Sequence, residues 1–295
     1  MVSVIGAGAW GSAIYFAIKE KVNAVITSRR KRNIEGFVDF KDALKNEYLI
    51  VVIAAQAIKD FLKDYKEEIK SKKILVASKG IDVESLKFLD EIFEEYVDRK
   101  NLAFVSGPSF AKEVKEKKPT ALVIASKNLD LAKEFSKFFP DFIKIYVDDD
   151  TKGVEIAGAY KNVIAIASGI SDGLNLGNNA RAALLARGLV EMDRFGEFFG
   201  AKKDTFLGLA GAGDLFLTAN STMSRNYRVG FNLAKGKSLN DILNELKEVA
   251  EGVYTTKAIY EISKLKNIYT PIANEVYKIL YEGKSPKDSL RDLLI

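Results

Sequence analysis

Residues 1–20 read MVSVIGAGAWGSAIYFAIKE. A short apolar run over 1–5 ends in Gly6-Ala7-Gly8-Ala9-Trp10-Gly11 and passes into a helical pattern over 12–20. This is G-x-G-x-x-G with a strand before it and a helix after it, the setting in which that spacing carries chemistry. Gly6 permits the tight turn, Gly8 lets backbone approach a pyrophosphate, and Gly11 allows helix and strand to pack closely. The free N–H groups and dipole of the helix start would then face the phosphates. A second strand-like run follows at 22–27, which favours a dinucleotide-binding unit over a plain glycine-rich turn. The chain continues Ser28-Arg29-Arg30-Lys31-Arg32. NAD-preferring folds usually place an acid here for the ribose 2′-hydroxyl, whereas guanidinium groups suit a 2′-phosphate. NADPH/NADP is therefore favoured or at least accepted, with NADH/NAD open as a second cofactor; a basic helix start on the surface is the alternative.

Further strand-like runs recur at 49–54, 73–77, 102–105, 121–125 and 142–147. Charge-rich helical stretches, such as 58–70 and 84–98, separate most of them. The alternation predicts an α/β, Rossmann-type, doubly wound and largely parallel sheet, with ligands beyond the carboxyl ends of its strands. Two polar features fall at such ends, Ser78-Lys79-Gly80 and Ser106-Gly107-Pro108-Ser109. Lys79 is read as an anion or cofactor contact, against a generic turn lysine. Asp148-Asp149-Asp150 closes the last strand signal, and the patterns beyond it are helical. The expected domains are 1–150, a cofactor-binding Rossmann unit, and 151–295, an all-α substrate and catalytic unit. Short connections suggest that the two halves pack together.

Within the second half, residues 154–170, VEIAGAYKNVIAIASGI, form a helix-length apolar run, and Lys161 is the only charge between Glu155 and Asp172. On a 3.6-residue period Lys161 shares its stripe with Val154, Ala157, Gly158, Ile164, Ala165 and Ser168. It is either a lysine snorkelling to a nearby surface or a buried functional amine. A helix opens near Asn179, and Arg181 and Arg187 sit among small and apolar residues, which hints at burial. Residues 206–218, FLGLAGAGDLFLT, hold one charge, Asp214. It is either an N-cap for a helix starting at Leu215 or a carboxylate partner for a buried ammonium. Ser221 through Arg228, STMSRNYR, has the makings of a phosphate clamp, with hydroxyls at a helix start beside Arg225 and Asn226. A Ser-capped surface helix is the alternative.

Composition narrows the chemistry. The 295 residues include no cysteine and no histidine. Disulfides, thiolate catalysis, histidine–zinc sites and Ser-His-Asp triads are thereby excluded. No metal site is expected. Any acid or base working near neutral pH must be a shifted Lys, Asp, Glu or Tyr, or a bound water. The net charge of +5 comes from lysines interleaved with acids, as in residues 112–118, KEVKEKK. That pattern reads as solvated helix surface and not as a nucleic-acid site, while the modest positive balance suits a small anionic substrate. No apolar run reaches the length of a membrane span, and the first residues lack a basic leader, so the cytoplasm is the expected location.

Eight stretches together resemble one family. They are GAGAWGSA (6–13), SKG (78–80), SGPSFA (106–111), YKNVIAIASGI (160–170), NNARAAL (178–184), GLAGAGDL (208–215), SRNYRVG (224–230) and EGVYTTKA (251–258). In this order and over nearly the whole chain they resemble bacterial NAD(P)-dependent glycerol-3-phosphate dehydrogenase. The resemblance implies a Rossmann domain, a helical domain and an active site between them. It implies reversible hydride transfer between NAD(P)H and dihydroxyacetone phosphate or sn-glycerol 3-phosphate, the product serving glycerophospholipid biosynthesis. By matching motif, Lys161 takes the place of the proton-transfer lysine, with Asp214 beside it. Substrate contacts fall on Lys79, Gly107, Ser109, Lys161, Asp214, Ser224, Arg225 and Asn226. Cofactor contacts beyond the three glycines fall on Trp10, Arg29, Arg30, Lys79, Ala111, Arg225, Val249 and Glu251. Departures from the family pattern are Ala9 for Ser, Ala54-Ala55 for Pro-Ser or Pro-Thr, and Ala219 for Cys.

Ketone reduction needs a proton for the forming alkoxide, and with no histidine Lys161 is the best candidate. Burial would lower its pKa while Asp214 would raise it, and the sequence does not say which prevails. Ketopantoate reductase and the β-hydroxyacid dehydrogenases also join such a domain to helices bearing a lysine. They act on carboxylates and have no use for Ser224-Arg225-Asn226. A non-catalytic NADPH sensor is the remaining alternative. Oligomeric state is open, with a homodimer one option.

Overall fold

A computed structural model describes residues 1–246 and 249–294, the side chain of residue 294 excepted. Seven strands form one sheet: β1 (Val2–Ile5), β2 (Ala24–Thr27), β3 (Tyr48–Val51), β4 (Lys73–Val76), β5 (Leu102–Ser106), β6 (Thr120–Ala125) and β7 (Ile143–Asp148). Their order is β2-β1-β3-β4-β5-β6-β7. Neighbours are parallel throughout except β5 and β6, which run antiparallel with Phe104 opposite Ala125. Every residue of β1 is buried, as suits a β-branched strand covered on both faces. Burying each such valine or isoleucine stabilises by roughly 1.5–3 kcal/mol. The order reverses at β1, where β2 lies on one side and β3 on the other. That is the switch point at which open α/β sheets make their ligand crevice.

The chain divides into two compact units, Met1–Ser78 with Phe88–Val154, and Lys79–Lys87 with Glu155–Ile295. The sequence suggested a single change near residue 151. The contacts instead change within the helix Thr151–Gly173, and they assign Lys79–Lys87 to the second unit. This segment is also where a helix over 84–98 fails to form. Leu86 is left-handed at φ 57°, Asp82 accepts hydrogen bonds from the backbone and hydroxyl of Ser85, and only Leu89–Phe93 is helical. A left-handed non-glycine residue costs energy that only the surrounding packing repays. The helix expected over 58–70 breaks at Tyr65 into Ile58–Asp64 and Lys66–Ile69.

The second unit is helical. Its axis is the 23-residue helix Thr151–Gly173, followed by Gly177–Phe198. Ile156, Val163, Ile164, Met192, Phe195 and Phe206 are buried in its core. A π-helical turn, Leu209–Gly213, leads into Asp214–Ala219, and three further helices complete the part used below: Arg225–Ala234, Glu251–Lys266 and Pro271–Tyr281. No helix among the described residues is long and apolar enough to cross a membrane.

Candidate active site

In the first unit, the turn between β1 and the helix Ala9–Ile18 is made of close backbone approaches. Gly6 has φ +121°, and a Cβ there would lie 2.3 Å from the Val52 carbonyl oxygen just beyond β3. A Cβ on Gly11 would lie 1.8 Å from the Gly6 oxygen. Both positions exclude a side chain for reasons internal to the fold. Gly8 differs: a Cβ there would meet nothing within 4 Å, so packing gives no reason for a glycine, whereas close approach of a ligand does. Gly8 is the N-cap of the helix, no side chain caps it, and its first turn holds no acid. Backbone donors and a positive helix end therefore fit a pyrophosphate. Trp10 packs half-buried against the core of this unit. Arg29 and Arg30 follow β2 and are exposed, and the Ser28 hydroxyl donates to the Arg30 carbonyl. Gly107, with φ +132°, and Ser109 lie beyond β5, the Ser109 hydroxyl donating to the Gly107 carbonyl. Ala111 then opens the short helix Ala111–Lys115.

In the second unit, Lys161, Asp214 and Lys79 meet. Lys161 is 7% exposed, so the snorkelling alternative does not hold. Its Nζ donates to Asp214 Oδ1 at 2.5 Å and to the Thr218 hydroxyl at 3.1 Å. Lys79 Nζ donates to the other oxygen, Asp214 Oδ2, at 2.7 Å. Asp214 is 1% exposed. It does not cap a helix starting at Leu215. Gly213 occupies the N-cap position, Asp214 is the first helical residue, and its carboxylate is drawn to the two ammonium groups. Charge-assisted contacts outweigh a neutral cap bond.

The electrostatics follow from this geometry. Burial pushes the Lys161 ammonium down, the Asp214 carboxylate pushes it back up, and the Lys79 charge lowers it again. Burial prevails, and the group comes to about 7. For Asp214, burial alone would favour the neutral acid, but the charges of Lys161 and Lys79 outweigh it and hold the carboxyl below its ordinary value. The result is an ammonium that exchanges its proton near neutral pH, next to a carboxylate that stays ionised. Such a group can donate a proton to a forming alkoxide and stabilise its charge beforehand. Thr218 was not singled out from the sequence. Its signal was its position four residues after Asp214, on the same helix face.

Ser224, Arg225 and Asn226 start the helix Arg225–Ala234, which packs against Asp214–Ala219. Ser224 is the N-cap, its oxygen accepting from the Tyr227 N–H. The capping alternative therefore describes its hydroxyl. Asn226 Oδ1 accepts from the Gly252 N–H at 3.0 Å, which fixes this helix to the start of Glu251–Lys266. Glu251 is the first residue of that helix and half-buried, and Val249 just before it is exposed. Arg187, by contrast with the sequence hint, is exposed, while Arg181 is half-buried against Asp172 at 2.8 Å. Among the described residues no group of carboxylates could hold a metal ion.

Comparison with known proteins bears on both units. Residues 29–132 match the family model described as NAD-dependent glycerol-3-phosphate dehydrogenase N-terminus, and residues 150–291 match its C-terminus. The chain is 59% identical to glycerol-3-phosphate dehydrogenase [NAD(P)+] of Nitratiruptor sp., covering 99% of this chain and 97% of that protein. It is 58% identical to the enzyme of the same name from Campylobacter jejuni subsp. doylei, covering 99% and 98%. The crystal structure of glycerol-3-phosphate dehydrogenase from Coxiella burnetii superposes with a TM-score of 0.92 at 32% identity, covering 99% of this chain and 98% of that one. The chain belongs to the NAD-dependent glycerol-3-phosphate dehydrogenase family.

Proposed function

We infer that the chain is an NAD(P)-dependent glycerol-3-phosphate dehydrogenase, interconverting dihydroxyacetone phosphate and sn-glycerol 3-phosphate. The observation that carries the mechanism is the buried Lys161 ammonium on Asp214, at about 7, in a chain without histidine. When bound, the nicotinamide supplies the hydride to C2, or takes it up in reverse. Gly6, Gly8, Gly11 and the start of Ala9–Ile18 hold the pyrophosphate, and Arg29 and Arg30 take the 2′-phosphate of NADPH. Trp10, Lys79, Ala111, Arg225, Val249 and Glu251 complete the cofactor contacts.

In reduction, the carbonyl oxygen gains an electron pair as C2 becomes tetrahedral, and the Lys161 Nζ proton moves to it. In oxidation, the neutral Lys161 amine accepts the hydroxyl proton. Asp214 keeps Lys161 more protonated than burial alone would allow and fixes its position. Arg225 and Asn226, with Lys79, hold the phosphate and so place C2, while Gly107, Ser109 and Ser224 line the substrate. The ketopantoate and hydroxyacid alternatives lose ground because family membership extends over both units. The same reading has the enzyme cytoplasmic and homodimeric, supplying glycerophospholipid synthesis; fractionation and light scattering check the first two. The deciding assay is oxidation of NADPH and NADH with dihydroxyacetone phosphate, and with ketopantoate for contrast. Turnover with ketopantoate alone would overturn the reading.

A further inference from the structure

The helix Pro271–Tyr281 starts without a cap of its own. Thr270 is the N-cap residue and fully buried, but its side chain makes no cap hydrogen bond and instead pairs with Asn274 Oδ1. The capping acceptor comes from another helix. Glu191, on Gly177–Phe198 and 2% exposed, accepts from the Ile272 N–H at Oε2 (2.8 Å) and from the Ala273 N–H at Oε1 (2.9 Å). Pro271 needs no partner at this start because it has no N–H. A buried carboxylate facing two free N–H groups at the positive end of an 11-residue helix is well placed.

The same Glu191 Oε1 accepts a third hydrogen bond, from the Tyr160 hydroxyl at 2.9 Å. Tyr160 is fully buried, packs its ring at a tilt against Phe195 on the Glu191 helix (centroids 5.2 Å apart), and immediately precedes Lys161. Tyr160 and Lys161 leave the helix axis about 100° apart, as successive residues do at 3.6 per turn. Anchoring the tyrosine ring and its hydroxyl therefore fixes the rotation of this helix about its axis, and with it the direction of Lys161. Further along the same helix the Ser168 hydroxyl donates to the Ala219 carbonyl and Asp172 accepts from Tyr227 and Arg181, but the Tyr160 anchor is the one adjacent to Lys161, whose tip is held by Asp214 and Thr218.

We propose that Glu191 and Tyr160 are positioning residues for Lys161: the carboxylate that caps Pro271–Tyr281 also sets, through the tyrosine hydroxyl, where the Lys161 ammonium lies relative to Asp214. This rests on Lys161 being the proton-transfer group. The groups facing that ammonium are Asp214, Lys79 and Thr218. Loosening the anchor lets Lys161 draw away from Asp214, which weakens the contact that keeps it protonated.

Two isosteric variants separate positioning from plain stability. Tyr160→Phe keeps the ring and the helix cap and deletes only the link. It should lower kcat for dihydroxyacetone phosphate reduction by on the order of tenfold, leave KM unchanged, and move the pH midpoint of kcat/KM downward. Glu191→Gln keeps one acceptor oxygen for Tyr160 and Ala273 and gives up the other at Ile272. It should lower the melting temperature while leaving the pH midpoint in place. If Tyr160→Phe matches wild type in kcat and midpoint, or if losses in both variants merely follow melting temperature, Glu191 is a structural cap alone. Absence of turnover in the wild type would refute the functional reading instead, so the two failures are distinguishable.

Discussion

Replacing Asp214 by asparagine removes one negative charge and almost no volume, and its effect on Lys161 can be worked through. The Lys161 nitrogen lies 2.5 Å from Asp214 Oδ1, and Asp214 is 1% exposed, so the pair is little screened by solvent. At an effective dielectric of about 20, opposite charges about 4 Å apart attract by about 4 kcal/mol, equivalent to about three pKa units. The asparagine dipole restores part of this, leaving a fall of about two units, from about 7 to about 5. Lys79 acts in the same direction, because its charge, no longer neutralised by the carboxylate, also disfavours protonated Lys161. Reduction needs the ammonium. At pH 7 its protonated fraction would drop from about a half to about one in a hundred, and kcat/KM for dihydroxyacetone phosphate by about fiftyfold. Initial rates of NADPH oxidation across pH measure this, with NADPH binding as the control for folding. The variant should recover most of its activity as pH falls toward about 5. A midpoint within half a unit of wild type, or a loss equal at every pH, would refute the electrostatic role given to Asp214.

Other outcomes follow from the same geometry. Arg225→Ala should raise KM for dihydroxyacetone phosphate by tenfold or more, on the order of the value of a charge-assisted phosphate contact, and weaken NADPH binding by a smaller factor, because the same residue is assigned to both ligands. Steady-state kinetics and a binding titration check it. Replacing Arg29 and Arg30 together by Asp and Ala should reverse the cofactor preference toward NADH, read as the ratio of kcat/KM values. Gly11→Ala should fail to fold or lose several kcat-independent degrees of melting temperature, since its Cβ would overlap the Gly6 carbonyl at 1.8 Å. Thr218→Val should lower kcat severalfold while sparing KM, because it removes one of two acceptors holding the Lys161 ammonium.

Much of the framework was legible in the sequence. All seven strand signals correspond to strands: central strands such as β1, buried along their whole length, read as short apolar runs, and the edge strands β2 and β7 keep enough apolar residues to show as well. The stretch 84–98 was not legible. Its helical pattern gives way where Lys79–Lys87 packs with the other unit, a tertiary preference that local periodicity does not carry. The apolar neighbours of Lys161 were legible, but they left snorkelling and burial both open, and only its 7% exposure in the folded chain decides for burial. Its pKa was not legible, because that depends on how burial, Asp214 and Lys79 balance, and these come from segments more than fifty residues apart in the chain. Asp214 was seen as either cap or partner, and only the preceding π-helical turn, which puts Gly213 at the cap position, distinguishes the two. Glu191 gave no signal at all: within an ordinary amphipathic run, a glutamate that faces inward to cap a distant helix looks like one that faces water.

The central claim, that Lys161 moves the proton, is tested most directly by dihydroxyacetone phosphate reduction with wild type and Lys161→Ala from about pH 5 to about pH 9. The wild type should lose kcat/KM as pH rises through about 7, while the reverse oxidation gains it, because the ammonium serves one direction and the amine the other. Lys161→Ala should bind NADPH, turn over at least on the order of a hundredfold more slowly, and lack that titration. A variant within a few fold of wild type, or one that keeps the midpoint near 7, would contradict the account.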